Sequence, residues 1–312
     1  MMARMLKMLL LAQLLAAGAL WVLAVSHWGA GRAGAAAAAV LALVLLLRLC
    51  FTLHNFIMAR RFAGAGAARL GWPHRLRLFA REFYTTMLSS SWTMVRHRGI
   101  DRHFADSPAL PVLLIHGYGC NGGYWQAMSA ALSAARISHR AIDLEPVLAA
   151  IDDYVPAIDA AVAALAAAHG GQPVILLGHS MGGLAIRAYL RQAGTAAVAR
   201  AITLGTPHHG TGLANRGVGQ NCRQMRGHYV NGAWRPSAWL KALDSAETPA
   251  VRSLLTSIYS LHDNIVSPAA SACLSGAENI AFEGVGHVAL AFDASVQRQV
   301  IAQIMAASAH KR

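Results

Sequence analysis

Residues 174–191 read Val-Ile-Leu-Leu-Gly-His-Ser-Met-Gly-Gly-Leu-Ala-Ile-Arg-Ala-Tyr-Leu-Arg, and this stretch decides the fold. Val174 to Leu177 is a short, unbroken apolar run, the signature of a strand covered on both faces. Leu184 to Arg191 reads as a helix. Between them Gly178-His179-Ser180-Met181-Gly182 fits the pattern G-x-S-x-G. In a chain with 28 glycines such a match carries little weight alone. Its place between strand and helix gives it weight. A serine at that sharp corner is pushed above the sheet. The flanking glycines remove side chains that would clash there, and the N-terminus of the following helix adds partial positive charge beneath it. Ser180 is the expected nucleophile.

A serine hydroxyl is a poor nucleophile at neutral pH and needs a base. Gly284-Val285-Gly286-His287-Val288 follows the predicted strand Asn279 to Phe282. His287 thus falls in a loop at the C-terminal end of a strand, where ligands gather in open α/β sheets. The carboxylate that orients it should lie between nucleophile and base. Asp263 follows a predicted strand ending at Ser260. It is preferred over Asp244, in a predicted insertion, and Asp293, after the histidine. The oxyanion of a tetrahedral intermediate needs donors. His116-Gly117-Tyr118-Gly119 comes straight after the predicted strand Val112 to Ile115. The backbone N–H of Tyr118 is one expected donor and that of Met181 the other, with His116 bracing the loop.

From Pro111 onward strands and helices alternate. Helices are expected at 125–135, 154–168 and 296–307, and strands at 138–142 and 201–204. Apolar strands separated by helices imply a mostly parallel sheet flanked by helices. His208 to Pro249 interrupts this alternation with polar and glycine-rich sequence, and 208–250 is read as a cap or lid. Trp125, Leu213 and Trp239 are the expected apolar contacts for substrate. The neighbours His208 and His209 point in different directions and suit loop bracing better than a metal. No metal and no cofactor are expected.

Taken together, 112–120 (V-L-L-I-H-G-Y-G-C), 178–183 (G-H-S-M-G-G), 204–210 (L-G-T-P-H-H-G), 259–266 and 284–288 resemble bacterial triacylglycerol lipases and related esterases of the α/β-hydrolase fold. The resemblance spans about residues 110–305. It implies an α/β-hydrolase catalytic domain at 110–308, a Ser-Asp-His triad and an acyl-enzyme. The substrate would be a lipid or other apolar acyl ester. The same triad serves acyl transfer and thioester cleavage. A different class of reading is a silent hydrolase fold kept as a membrane-bound binding or scaffold protein. Some relatives hold a structural calcium ion, for which this chain offers no clear ligand set.

The N-terminus departs from secreted lipases. Met8 to Val25 is apolar and uncharged, and a second apolar run goes from Ala33 to about Phe51, interrupted only by Arg48. Each is close to the ~20 residues that span a bilayer core. Residues 1–58 are read as two transmembrane helices, with a cleaved signal peptide as the alternative for the first run. Residues 59–109 form a basic juxtamembrane linker. Within it Trp72, Leu76, Phe79, Phe83 and Met87 recur at helical spacing. That stripe fits a helix lying on a bilayer or one packed on the catalytic domain.

The net charge of +13 is uneven. Residues 1–109 carry 13 Lys+Arg against 3 Asp+Glu, and the remainder 14 against 11. Charge flanking apolar segments suits anionic lipid headgroups, so membrane lipids and not nucleic acid are the expected partners. Arginines beyond both outer ends of the hairpin predict a multi-pass protein of a bacterial-type inner membrane, with a cytoplasmic catalytic domain. The four cysteines form no C-x-x-C pair. Cys222 and Cys273 could bridge only in an oxidising compartment.

Overall fold

A computed structural model describes residues 1–64 and 68–309. The chain opens with helices α1 (Met2–Trp28) and α2 (Ala33–Phe62), joined by a 3₁₀ turn at Ala30–Arg32. Both are long and apolar enough to cross a membrane. The charged group inside the second run is hydrogen-bonded to polar neighbours: the Arg48 guanidinium donates to Gln13 Oε1 at 2.6 Å and to Ser91 Oγ at 2.7 Å. Helix α3 (Trp72–Leu88) follows, with Pro73 in its first turn, where a missing N–H costs nothing.

The strands are β1 (Asp101–Arg102), β2 (Val112–Ile115), β3 (His139–Ile142), β4 (Val174–His179) and β5 (Val198–Leu204). A hairpin of β6 (Gly227–Val230) and β7 (Ala233–Pro236) stands apart, and β8 (Leu255–Ser260) and β9 (Glu278–Phe282) complete the set. Seven of them form one sheet in the order β1-β3-β2-β4-β5-β8-β9, antiparallel only at the β1–β3 edge. The flanking helices are α4 (Gln126–Ala134), α5 (Val155–Ala168), α6 (Met181–Ala193), α7 (Gln220–Gln224), α8 (Ala238–Ala246), α9 (Pro249–Ser253) and α10 (Ala294–Ala309).

Side chains alternate across a strand, and here both faces are covered. Leu113, Ile115, Val174 and Leu176 pack with Ile158, Leu184 and Leu243 from α5, α6 and α8. Val112, Leu114, Ile175 and Leu177 pack with Met128 and Leu132 of α4 and Val300 and Ile304 of α10. Two apolar walls explain why the central strands read as continuous apolar runs rather than as alternating ones.

One expectation needs correcting. The segment 208–250 is not a lid throughout. Leu240 and Leu243 of α8 are part of the core, so its second half is a wall of the sheet. In α3 the buried face is Leu78, Glu82 and Thr85, while Trp72 and Leu76 at one end of the apolar stripe are exposed. All four cysteines are free, so Cys222 and Cys273 are not bridged.

Candidate active site

β4 runs directly into Ser180, whose backbone sits at φ 54°, ψ −123°. A non-glycine residue there stores about 1–3 kcal/mol of strain and persists only when its surroundings enforce it. The enforcing contacts are clear. Ser180 N–H donates to Leu204 O at 2.8 Å. Its carbonyl accepts the Thr206 hydroxyl at 2.9 Å. A Cβ on Gly182 would collide with the carbonyl oxygens of Ile115 and His116, and one on Gly183 would overlap the Thr206 hydroxyl. The two glycines let α6 begin pressed against the loops after β2 and β5.

His287 is buried in the loop after β9. Its Nδ1 lies 2.8 Å from Asp263 Oδ2. The other carboxylate oxygen, Oδ1, accepts the N–H groups of Ile265 at 2.7 Å and Val266 at 2.8 Å, which fixes the aspartate. Burial opposes a charge on the imidazole. The Asp263 carboxylate, and beyond it Glu82, outweigh that and raise the His287 pKa. Gly205, at φ 54°, lies against this pair. A Cβ there would stand 3.2 Å from Asp263 Oδ2 and 3.3 Å from His287 Nδ1. Because Ser180 N–H is bonded to the residue before Gly205, Ser180, Asp263 and His287 lie around one corner.

The loop after β2 closes the other side. A Cβ on Gly117 would lie 2.9 Å from Ser180 Cβ, so only a glycine lets the backbone pass the serine. Among the described residues, neither the Tyr118 nor the Met181 backbone N–H has a hydrogen-bond acceptor. His116 accepts the Leu144 N–H on Nε2 at 2.9 Å, so its Nδ1 carries the proton and donates to Gly117 O at 2.9 Å. Burial holds its pKa low, which keeps it neutral in this bracing role. His208 is likewise buried between Thr203 Oγ1 and Arg187.

The expected substrate contacts fare differently. Leu213 is half-buried beside the acid loop, where Thr211 donates to Ile265 O. Trp125 has no exposed surface. The Met94 carbonyl accepts Asn121 over this turn at 2.9 Å, and the indole packs edge-on to Tyr124 and His179. Trp239 donates to Asp152 Oδ2 at 2.6 Å and stands 6.0 Å from Arg191. That arginine is eleven residues along α6 from Ser180, a rise of about 16 Å. Both tryptophans therefore serve packing and not substrate contact.

Three polar residues around the histidine escaped the sequence reading. His179 stacks on Tyr124 at 4.3 Å, and its Nε2 lies 3.2 Å from the His287 carbonyl. Asn264 Oδ1 accepts the His287 N–H at 2.9 Å. Glu82, from α3, accepts the N–H groups of Val288 and Ala289 at 3.0 Å each. Asn264 adjoins the predicted acid and His179 lies inside the serine motif, so proximity could have found them. For Glu82 the signal was its isolation, as the first acidic residue in the chain before Asp101.

A family model described as the alpha/beta hydrolase fold matches residues 111–238, a span that ends before Asp263 and His287. No curated protein matches the chain. Among solved structures, the mature form of a Bacillus licheniformis lipase aligns with TM-score 0.54 at 18% identity, over 65% of this chain and 94% of that one. The propeptide form of the same lipase aligns with TM-score 0.55 at 17% identity, over 66% of this chain and 52% of that one.

Proposed function

We propose, from the premise that this chain carries the α/β-hydrolase fold, that it is a membrane-anchored serine hydrolase of carboxylic esters, acting on lipid or other apolar acyl esters. Ser180 attacks the acyl carbon while His287 takes its proton. Asp263 holds the imidazole tautomer and stabilises the imidazolium. The free N–H groups of Tyr118 and Met181 receive the oxyanion. The alcohol leaves with the proton from His287, and water, activated by the same ring, hydrolyses the acyl-enzyme.

The observation that carries this reading is the convergence of the 2.8 Å Asp263–His287 pair on the strained Ser180 corner. A scaffold with no chemistry has no need to hold a serine at that backbone angle. The two long apolar N-terminal helices support anchoring. Arginines flanking the hairpin favour a cytoplasmic catalytic domain.

Labelling with a fluorophosphonate probe tests the nucleophile. The wild-type protein should be modified at Ser180, and Ser180→Ala should lose turnover by several powers of ten, about 10⁶ in a protease of the same chemistry. Near-normal turnover by a purified, folded Ser180→Ala protein would refute the assignment.

A further inference from the structure

Glu82 sits in the middle of α3, outside the sheet and its flanking helices, and it is 1% exposed. Its Oε1 accepts the Val288 N–H and its Oε2 the Ala289 N–H, each at 3.0 Å. These N–H groups open the 3₁₀ turn Val288–Ala291, whose cap residue is His287. The first N–H groups of a helical turn have no partner within it. A neighbouring Ser, Thr, Asp or Asn side chain ordinarily satisfies them. Here the cap position is His287, whose ring is engaged with Asp263 and which Gly286 precedes, so the acceptor comes from another helix. The glycine is part of the arrangement, since a Cβ on Gly286 would overlap the Glu82 carboxylate.

We propose that Glu82 is a positioning residue for the catalytic base: by bonding Val288 and Ala289 it fixes the backbone turn from which His287 projects. α3, the element that follows the apolar hairpin, thereby becomes part of the hydrolytic machinery. The proposal rests on the triad reading given above. It stands on more than one contact. Arg81, the adjacent residue, pairs with Asp293 Oδ2 at 2.7 Å just beyond the same turn. On the other flank Phe79 meets Phe56 of α2, ring centroids 5.7 Å apart. α3 is therefore held between the second apolar helix and the base loop. A buried carboxylate is costly unless it is well bonded. Burial raises the Glu82 pKa, and the two N–H groups and His287 oppose that rise. An apolar side chain would fill the same space without that cost but would leave two N–H groups unpaired.

The test uses full-length protein in detergent with a soluble short-chain ester. It compares wild type, Glu82→Gln, Glu82→Ala and Ser180→Ala, and measures kcat, KM, Tm and the rate of fluorophosphonate labelling. Glu82→Gln keeps one acceptor oxygen and the same volume, while Glu82→Ala keeps neither. We expect kcat to fall about tenfold in the first and about 100-fold in the second, the scale of a small misplacement of a reacting group. KM should stay within about twofold, because the turn does not hold the substrate. Labelling of Ser180 should slow in proportion to kcat, because attack on the probe also needs the base. Should the alanine protein fail to fold, the near-isosteric glutamine decides. Unchanged kcat and labelling in Glu82→Gln overturn the proposal, as does a loss of kcat no greater than the accompanying loss of folded protein. If wild type labels at Ser180 and the Glu82 variants label equally fast, only the role of Glu82 is refuted. If Ser180→Ala keeps turnover, the triad reading fails and this proposal falls with it.

Discussion

Ser180 occupies a backbone conformation that glycine adopts freely and serine does not, and the residues around it are chosen to tolerate that. Gly117, Gly182 and Gly205 stand where a Cβ would meet backbone atoms or the side chains of Ser180, Asp263 and His287, and Gly183 where it would meet the Thr206 side chain. Among the aspartates, Asp263 touches the imidazole. Asp293 instead caps α10 through the Ser295 N–H and pairs with Arg81. Asp244 pairs with Arg252. Asp263→Asn should therefore cost about 10⁴ in kcat through the wrong imidazole tautomer. Asp293→Asn and Asp244→Asn should stay close to wild type. A greater loss in either of those two would move the acid elsewhere. The pH profile follows from the charges around His287. The base must be neutral, so kcat/KM falls as pH drops through its pKa. Burial lowers that pKa, but Asp263 and Glu82 raise it above the ordinary histidine value. Glu82→Gln removes one negative charge, so its acid limb should move to lower pH. An unmoved limb would show that Glu82 carries no charge when the ring titrates.

At the scale of elements, α6 does two things at once. Its N-terminus carries the elbow, and its middle buries Arg187, which has no exposed side-chain surface. Arg187 makes a two-pronged contact with Glu247, at 2.7 and 2.9 Å, and donates to the His208 carbonyl at 3.2 Å. That joins α6 to the end of α8 and to the loop after β5. Arg187→Met should cost about 3–5 kcal/mol, because Glu247 is then buried with only Arg252 to answer it. Urea unfolding checks this, with the midpoint falling at constant slope. An unchanged midpoint would mean that Arg252 suffices. The same packing explains why α8 is wall and not lid: a lid cannot carry a buried ion pair to the core and also open.

At the scale of the whole molecule, the apolar hairpin packs on the α/β domain. Ser267, in the acid loop, donates to the Ala59 carbonyl of α2 at 2.6 Å. The Phe62 ring fills the space left by Gly212, where a Cβ would strike it, and packs edge-on to Trp234. From sequence, removal of residues 1–60 is expected to leave hydrolysis of a soluble ester nearly unchanged. Truncation removes Ala59 and the helix that carries Phe62, which changes that expectation. The truncated protein should lose part of its turnover on a soluble ester and more on bilayer-dispersed ester, where anchoring also raises effective concentration. Kinetics on both substrates decide, and full activity on the soluble one would show that α2 contributes nothing to the site. A C-terminal fusion checks orientation: a reporter that works only in the cytoplasm should be active, and an active alkaline phosphatase would reverse the topology.

Local pattern was enough for what is built locally. The apolar runs at 112–115 and 174–177 and the strand–turn–helix corner at Ser180 are each written in contiguous residues. Their spacing is fixed by strand and helix geometry. Two apolar stretches of membrane length are equally a property of consecutive residues. Tertiary structure decided everything that depends on which surface faces which. Trp125 and Trp239 have the composition of substrate contacts, yet packing placed one in the core and the other at the far end of α6. The stripe on α3 is apolar enough for a bilayer, yet the face that is buried runs through Glu82. That carboxylate meets the backbone of Val288 across more than 200 residues of chain. No periodicity records such a contact, because it exists only once the sheet has brought the loop after β9 against the middle of α3.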